Sequence, residues 1–215
     1  MKKLILALVL FLPLLSLTNQ TKKTTITMIH KGYTTIYDTT LDYPVMVEWW
    51  ETKNRDKCDN PIPRKDQFQA DPMLPNNTDL MKDYVGSGYD RGHLCPAASN
   101  QCSGDEMLKE CFYFSNMMPQ PHTLNAGSWK TLETLTRNIA IEKDSVHVWC
   151  GGVGCVKTFG PHHVAVPEKC WKVIYIKKTK EYMAYIFPNT TDKFDLEKLK
   201  VKKEDVEKLT NFKFN

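Results

Sequence analysis

Apolar and polar positions along the chain predict strands in its first and last thirds, with a helical region between them. Six segments are rich in β-branched and aromatic residues, which favour strands. They are 24–29, 33–37, 45–50, 146–150, 171–176 and 182–187. The last two flank the charged stretch Lys-Lys-Thr-Lys-Glu, which predicts a hairpin turn. A further short strand is predicted at 112–115.

The principal helix is predicted over residues 126–142, where apolar side chains recur at helical spacing. Shorter helices are predicted at 104–111 and within 192–210. Residues 54–88 are rich in Pro, Asn and Gly, which interrupt long elements. These elements together predict an α+β fold, with a mostly antiparallel sheet and the long helix packed against it.

The N-terminus has the basic, apolar and then polar order that is typical of a secretory signal peptide. Lys2 and Lys3 precede the apolar run 4–15, whose twelve residues are too few to span a bilayer comfortably. We therefore expect a signal peptide at 1–20 and one domain at 21–215, in a protein that is secreted or periplasmic and has no stable membrane partner. The alternative is an uncleaved membrane anchor.

Composition adds two constraints. The fractions of hydrophobic residues, 41%, and charged residues, 25%, are those of an ordinary globular domain. Loss of the two lysines of the signal peptide would lower the formal net charge from +4 by two. An anionic partner would therefore have to be bound by a local basic patch, because the overall charge is weak.

All seven cysteines lie beyond the predicted signal peptide. An exported protein with this many cysteines is expected to form disulfides, and the odd number leaves at least one thiol free. Cys150–Cys155 and Cys102–Cys111 are the local candidate pairs. The spacings do not resemble those of a structural zinc site.

The tetrapeptide Asp90–His93 places a carboxylate, a guanidinium group and an imidazole within four residues. An imidazole with a pKa of about 6.5 can take a proton from water. A guanidinium can neutralise a phosphate with two hydrogen bonds, and a carboxylate can orient water on a metal ion. These residues suit phosphodiester cleavage, although on their own they are also typical of a surface turn.

Two further residues stand on the predicted long helix. Asn125 lies at its start, and Glu133, eight residues later, lies on roughly the same side. Considered alone, Asn125 would be a helix N-cap, a position that Asn favours, and Glu133 would be an exposed acid.

The segments around these residues resemble the DNA/RNA non-specific endonuclease family, the ββα-metal nucleases that include endonuclease-G-like enzymes. The resemblance rests on Asp-Arg-Gly-His at 90–93, Ser-Asn-x-x-Pro-Gln at 115–120 and Leu-Asn-x-x-x-Trp-x-x-Leu-Glu at 124–133, in that order and spacing. It extends over roughly residues 30–210. The fold that it implies is the ββα-metal nuclease fold.

The resemblance also implies a catalytic centre. His93 matches the general base that activates water, and Asn125 matches the one direct protein ligand of the catalytic metal. That metal would be Mg²⁺, for which Mn²⁺ can substitute, and it would stabilise the leaving oxygen. Glu133 matches the acid that holds metal-bound waters. A single amide ligand suits Mg²⁺, which dehydrates reluctantly and keeps several waters.

Four more residues have expected supporting roles by the same resemblance. Asp90 matches an acid near the metal-bound waters, and Arg64 matches the arginine that contacts phosphate. Arg91 is expected to steady the site or the substrate, and Asn116 to brace the site.

The implied function is hydrolysis of phosphodiester bonds in DNA and RNA with little sequence specificity, because the contacts go to phosphates. The alternative is a catalytically silent secreted module of the same fold that binds nucleic acid. A third interpretation is an effector or toxin nuclease that pairs with a dedicated inhibitor. A homodimer is left open.

Overall fold

The computed structural model describes residues 24–74 and 79–215. The predicted signal peptide at 1–20 therefore lies outside the described residues. In the part of the chain that is described, no helix is long and apolar enough to cross a membrane.

The strands of the described residues define the fold. In chain order they are β1 (Thr25–Ile29), β2 (Thr34–Asp38), β3 (Tyr43–Thr52), β4 (Asp90–His93), β5 (Met117–Gln120), β6 (Ser145–Val153), β7 (Lys157–Phe159), β8 (Val164–Val166), β9 (Lys169–Ile176), β10 (Glu181–Pro188) and β11 (Lys200–Val201). Seven of them form one sheet in the order β1-β2-β3-β6-β9-β10-β11, and each neighbouring pair is antiparallel. The pairs β4-β5 and β7-β8 stand apart from that sheet.

The helices occupy the segments between the strands and the C-terminus. They are α1 (Lys53–Asp56), α2 (Met81–Tyr84), α3 (Asp105–Glu110), α4 (His122–Leu124), α5 (Lys130–Lys143) and α6 (Lys203–Thr210). A π-helical turn, Asn125–Trp129, joins α4 to α5. The predicted α+β architecture is confirmed, including a mostly antiparallel sheet with the long helix against it.

Both faces of the central sheet are covered. On β6, Val146 and Val148 belong to the same buried cluster as Leu132 and Ala140 of α5. Trp149 points the other way, since successive strand residues alternate between faces, and packs in a second cluster with Phe214 of the C-terminus. Helix α5 is thereby seated on one face, which fixes the position of the helical segment that precedes it.

The strand predicted at 112–115 is wrong. Phe112 and Phe114 are buried, so their apolar character reflects core packing rather than strand pairing. Tyr113 makes only an isolated bridge to Gln69, and Phe114–Asn116 is a 3₁₀ turn that leads into β5.

The disulfide candidates are also wrong. The structure pairs Cys58 with Cys102, 44 residues apart, and leaves Cys111, Cys150 and Cys155 as thiols. Both predicted pairs join cysteines that are close in the sequence. The observed pair instead connects the loop after α1 to the loop before α3, which only the tertiary fold brings together.

Candidate active site

The short β4-β5 pair positions the first half of the site. His93 lies opposite Met117 and Asp90 lies opposite Gln120 in this antiparallel ladder. A Cβ at Gly92 would overlap the side-chain amide of Gln120. Any larger residue between the arginine and the histidine would therefore have to displace the buried side chain of Gln120.

The helical segment that follows β5 carries the second half of the site. Gly127 breaks helical geometry inside the π turn, with φ −100° and ψ −118°. Such π turns are frequent at functional sites. The buried Trp129 donates a hydrogen bond from Nε1 to the backbone oxygen of His93 at 3.1 Å, which joins this segment to β4.

Asn125 is not a helix N-cap. Its backbone is already helical, with φ −58° and ψ −50°, and its side chain reaches β4 instead. Asn125 Nδ2 donates to Asp90 Oδ2 at 2.8 Å. An ionised carboxylate only accepts hydrogen bonds, so Asp90 holds the NH₂ side of the amide. Oδ1 of Asn125 is left available on the opposite side, and Asn125 lines the cleft described below.

His93 is buried, with 9% of its surface exposed, and its ring meets the edge of Phe112 with centroids 4.9 Å apart. Among the described residues, its buried Nε2 has no hydrogen-bond partner. Desolvation, followed by the positive charges of Arg64 and Arg91, lowers the pKa of His93 to about 3. The imidazole is therefore neutral near pH 7, and one of its nitrogens has an unused lone pair.

A cleft of about 260 Å³ brings these groups together. Five of the residues proposed from the sequence line it: Arg64, Arg91, His93, Asn125 and Glu133. Asp90 lines an adjoining pocket of about 210 Å³ that shares the two arginines and Asn125. The sequence prediction therefore selected residues from segments far apart in the chain that meet around one cavity.

The two arginines differ in their surroundings. Arg91 lies over the ring of Phe68, with its Cζ 4.1 Å from the centroid, and is held there as a partly buried cation. The side chain of Arg64 is 51% exposed and pairs with Asp66 at 2.7 Å. Arg64 is thus the more exposed of the two cations, and its guanidinium group is accessible to an incoming anion.

Glu133 lies on α5, partly buried at the edge of the cleft. Burial raises the pKa of its carboxyl, while the positive charges of Lys172 and Arg137 lower it. Lys172 is itself buried, with its Nζ 4.1 Å from the centroid of the Trp129 ring. Desolvation outweighs these cations, so the pKa of Glu133 lies above its ordinary value.

Asn116 lies behind the cleft rather than in it. Its Oδ1 accepts from the backbone nitrogen of Cys95 at 2.9 Å, and its Nδ2 donates to the backbone oxygens of Cys95 and Cys111 at 2.9 and 2.8 Å. This buried amide ties the segment that follows His93 to the end of α3.

Three residues at the site were not predicted from the sequence. Lys130 and Arg137 line the cleft, and they lie three residues before and four after Glu133, a helical spacing that could have revealed them. His122 shares Oδ2 of Asp90 with Asn125, at 2.8 Å from its Nδ1, although 78% of its side chain is exposed. His122 lies one helical turn before Asn125 in the sequence, and this spacing could have indicated that the two side chains lie close together.

The sequence is similar to those of known nucleases. The chain is 32% identical to the mitochondrial nuclease EXOG of Xenopus laevis over 168 residues, which are 69% of this chain and 47% of that protein. It is 32% identical to human mitochondrial endonuclease G over 149 residues, 61% of this chain and 50% of that protein. The chain spans about half the length of these curated relatives.

These relatives contradict the expected secretion. The matching EXOG and endonuclease G proteins are named as mitochondrial nucleases, and the expected signal at 1–20 lies outside the described residues. A basic residue pair before an apolar run is shared by several kinds of N-terminal segment, so the pattern could not by itself identify the destination.

A solved structure and a family model cover most of the chain. The structure is an EndoG chain crystallised as an EndoG/EndoGI complex, with a TM-score of 0.79 and 27% identity over 87% of this chain and 84% of that one. This similarity and the large antiparallel sheet bear out the ββα-metal nuclease fold. The model described as DNA/RNA non-specific endonuclease matches residues 13–215. The chain therefore belongs to the DNA/RNA non-specific endonuclease family.

Proposed function

We propose that this chain hydrolyses phosphodiester bonds of DNA and RNA in a Mg²⁺-dependent reaction with little sequence discrimination. The observation that carries the proposal is the buried, neutral His93 at a cleft that it shares with Asn125, Glu133 and two arginines. A cleft with a proton acceptor, two cations and oxygen ligands has the groups that phosphodiester hydrolysis requires.

His93 acts as the general base in this mechanism. As the oxygen of a water molecule bonds to phosphorus, its proton passes to the imidazole and the bond from phosphorus to the leaving oxygen breaks. A base with a pKa of about 3 is weak. A phosphate bound beside Arg64 and Arg91 would offset the two positive charges that lower this pKa, and substrate binding would thus strengthen the base.

The residues of the cleft fit a hydrated magnesium ion. Asp90 holds the nitrogen of the Asn125 amide, so the amide oxygen is the atom available to a cation. Oxygen is the ligand that Mg²⁺ prefers, and Mg²⁺ keeps several of its waters in proteins. Glu133 would accept hydrogen bonds from water in the cleft. A bound Mg²⁺ would neutralise negative charge on the phosphate and on the leaving oxygen.

Weak sequence discrimination follows from the kind of groups that line the cleft. Arg64 and Arg91 offer guanidinium groups to a phosphate, and phosphate contacts position a substrate without reading its bases. We propose that the domain expected at 21–215 carries this activity. Cleavage would distinguish such a domain from a silent module that only binds nucleic acid.

The test is to incubate the protein with supercoiled plasmid and with single-stranded RNA, in Mg²⁺ or in EDTA. We expect both polymers to be cut in Mg²⁺ only, and His93→Ala to cut at least about 100-fold more slowly, since general-base catalysis supplies about 10²–10⁴-fold. His163→Asn is the matched control, because His163 is exposed outside the cleft and its φ of 57° suits Asn. Binding without cutting by the wild type would instead favour the silent module.

A further inference from the structure

A lysine is buried in the central sheet, on the face that carries α5. Lys172 lies on β9 and is only 1% exposed. Cys170 and Ile174, two positions before and after it, belong to the buried cluster that includes Leu132 of α5. Since alternate strand residues share a face, the side chain of Lys172 also points toward α5. Lysine is rarely buried to this extent unless its charge is compensated.

The ammonium group of Lys172 lies over an aromatic ring of the active site. Nζ is 4.1 Å from the centroid of the Trp129 ring and 5.8 Å from that of Trp49. Trp129 is the last residue of the π turn that begins at Asn125, and its Nε1 donates to the backbone oxygen of His93 at 3.1 Å. The cation, which is attracted to the face of the indole, therefore packs against a side chain that connects the two halves of the site.

Glu133 is the acid that can compensate this charge. It lies one helical turn after Trp129, so the two side chains are on the same side of the helical segment. Burial raises the pKa of Glu133, and of the positive charges that oppose this effect Lys172 is the largest, ahead of Arg137. An uncharged residue at position 172 would leave the partly buried carboxylate of Glu133 with less compensation for its lost hydration.

The other groups around Lys172 are unsuited to be its counter-ion. Glu51 of β3 already accepts from Trp49 Nε1 at 2.9 Å, and its other carboxylate oxygen lies 3.9 Å from Arg55 Nε. Burial raises the pKa of the nearby thiols, which are therefore neutral near pH 7. These thiols are Cys95, Cys150 and Cys170. Among the described residues, this leaves Glu133 as the acid whose charge Lys172 balances.

We propose that Lys172 is a positioning residue for phosphodiester hydrolysis, and that its buried positive charge supports the carboxylate of Glu133 and the indole of Trp129 from the sheet side. The proposal rests on the proposed nuclease function and deepens it. The buried ammonium is not part of the cleft lining, so it would act through these two residues rather than on the substrate. Its loss should therefore lower kcat and leave KM for nucleic acid nearly unchanged.

Lys172→Met removes the charge at similar volume and tests the role in catalysis. We expect kcat to fall about 10–100-fold, as for other residues that orient the groups around a metal site. Lys172→Arg should restore most of the rate, because a guanidinium group also carries a positive charge over an indole. Lys172→Gln is a second uncharged variant should Lys172→Met fold poorly.

Lys177→Met is the matched control for these variants. Lys177 is exposed, and its Nζ also lies over an indole, 5.8 Å from the centroid of the Trp50 ring, outside the cleft. We expect this variant to cut at the rate of wild type. An equal kcat for Lys172→Met and Lys177→Met in a protein that cuts nucleic acid would overturn the proposal.

A double variant distinguishes support of Glu133 from general damage to the fold. If Lys172 acts through Glu133, adding Lys172→Met to Glu133→Gln should lower kcat far less than Lys172→Met lowers it in wild type, since the carboxylate is already absent. If the lysine is only structural, the losses of the two single variants should multiply. Multiplied losses would therefore overturn the proposal.

Equilibrium unfolding separates this proposal from the nuclease function, because it requires no cleavage. Urea unfolding is compared for wild type, Lys172→Met, Glu133→Gln and the double variant. An interacting pair should shift the unfolding equilibrium constant of the double variant at least about fivefold from the product of the two single effects, whereas Lys177→Met should show no such coupling to Glu133→Gln.

Coupling between positions 172 and 133 in a protein that cuts neither DNA nor RNA would support the charge pair and contradict only the nuclease function. Independent effects of Lys172→Met and Glu133→Gln on stability would overturn the proposal, whether or not the wild type is a nuclease.

Discussion

Burial of His93 should make the folded protein lose stability as the pH falls. Its pKa is about 3 in the folded protein, against 6.5 for an ordinary histidine. Between these values the unfolded chain binds a proton that the folded chain does not. Acidification therefore favours the unfolded state, and each pH unit lowers the free energy of unfolding by about 1.4 kcal/mol. The loss begins near pH 6.5 and stops near pH 3, where both states are protonated.

The contribution of His93 can be isolated with His93→Gln, which removes the titrating group. At pH 4.5, about two units below the unfolded pKa, wild type should have lost about 3 kcal/mol through this residue alone. We would measure urea unfolding at 25 °C for both proteins at pH 7.5 and pH 4.5. The other titrating groups are common to both proteins and cancel in the difference.

The expected result is a stability difference that shifts by about 3 kcal/mol in favour of His93→Gln between the two pH values. Parallel pH profiles would refute the argument, because they would mean that the folded imidazole titrates like the unfolded one. Cleavage by His93→Gln should be strongly reduced at both pH values, because the variant lacks the general base. The variant would therefore be more stable in acid than wild type but inactive.

Four further changes test the remaining contacts. Asp90→Asn should slow cleavage about 10–100-fold with little change in melting temperature, because the amide at position 90 keeps one neutral acceptor oxygen where a charged carboxylate held the Asn125 nitrogen. A normal rate at saturating Mg²⁺ would contradict this. Asn125→Ala should weaken the dependence of rate on Mg²⁺, and superimposable Mg²⁺ titrations would exclude Asn125 as the ligand. Arg64→Lys should reduce kcat/KM far more than stability, because an ammonium cannot bind a phosphate through two nitrogens. An unchanged kcat/KM would mean that another residue contacts the phosphate. Cys58→Ser/Cys102→Ser should lower the free energy of unfolding by about 4 kcal/mol, since the bond closes a loop of about 45 residues, and a urea midpoint equal to that of wild type would be inconsistent with the bond.

Much of the secondary structure was predictable because it depends on local spacing. The six strands inferred from β-branched and aromatic residues all belong to the central sheet, and the long helix is present as α5. The strand predicted at 112–115 failed where buried apolar residues serve the core without pairing. Composition alone does not distinguish these two cases, since both favour the same residue types.

The identity of the candidate site residues was also available from the sequence, through the order and spacing of its motifs. Their physical states were not. Asn125 fits an N-cap or a ligand equally well until the fold places Asp90 against its amide nitrogen. The neutral state of His93 depends on Phe112, Arg64 and Arg91, which surround it only after folding.

The sequence by itself determined where strands and the long helix form and which residues are candidates for the chemistry, because periodicity and motif spacing are properties of short segments. Only the tertiary structure decided which distant segments meet. It paired Cys58 with Cys102, shifted the pKa of His93, and buried Lys172 against Trp129. Each of these depends on distances and burial between residues remote in the chain, and packing of the whole domain sets those distances.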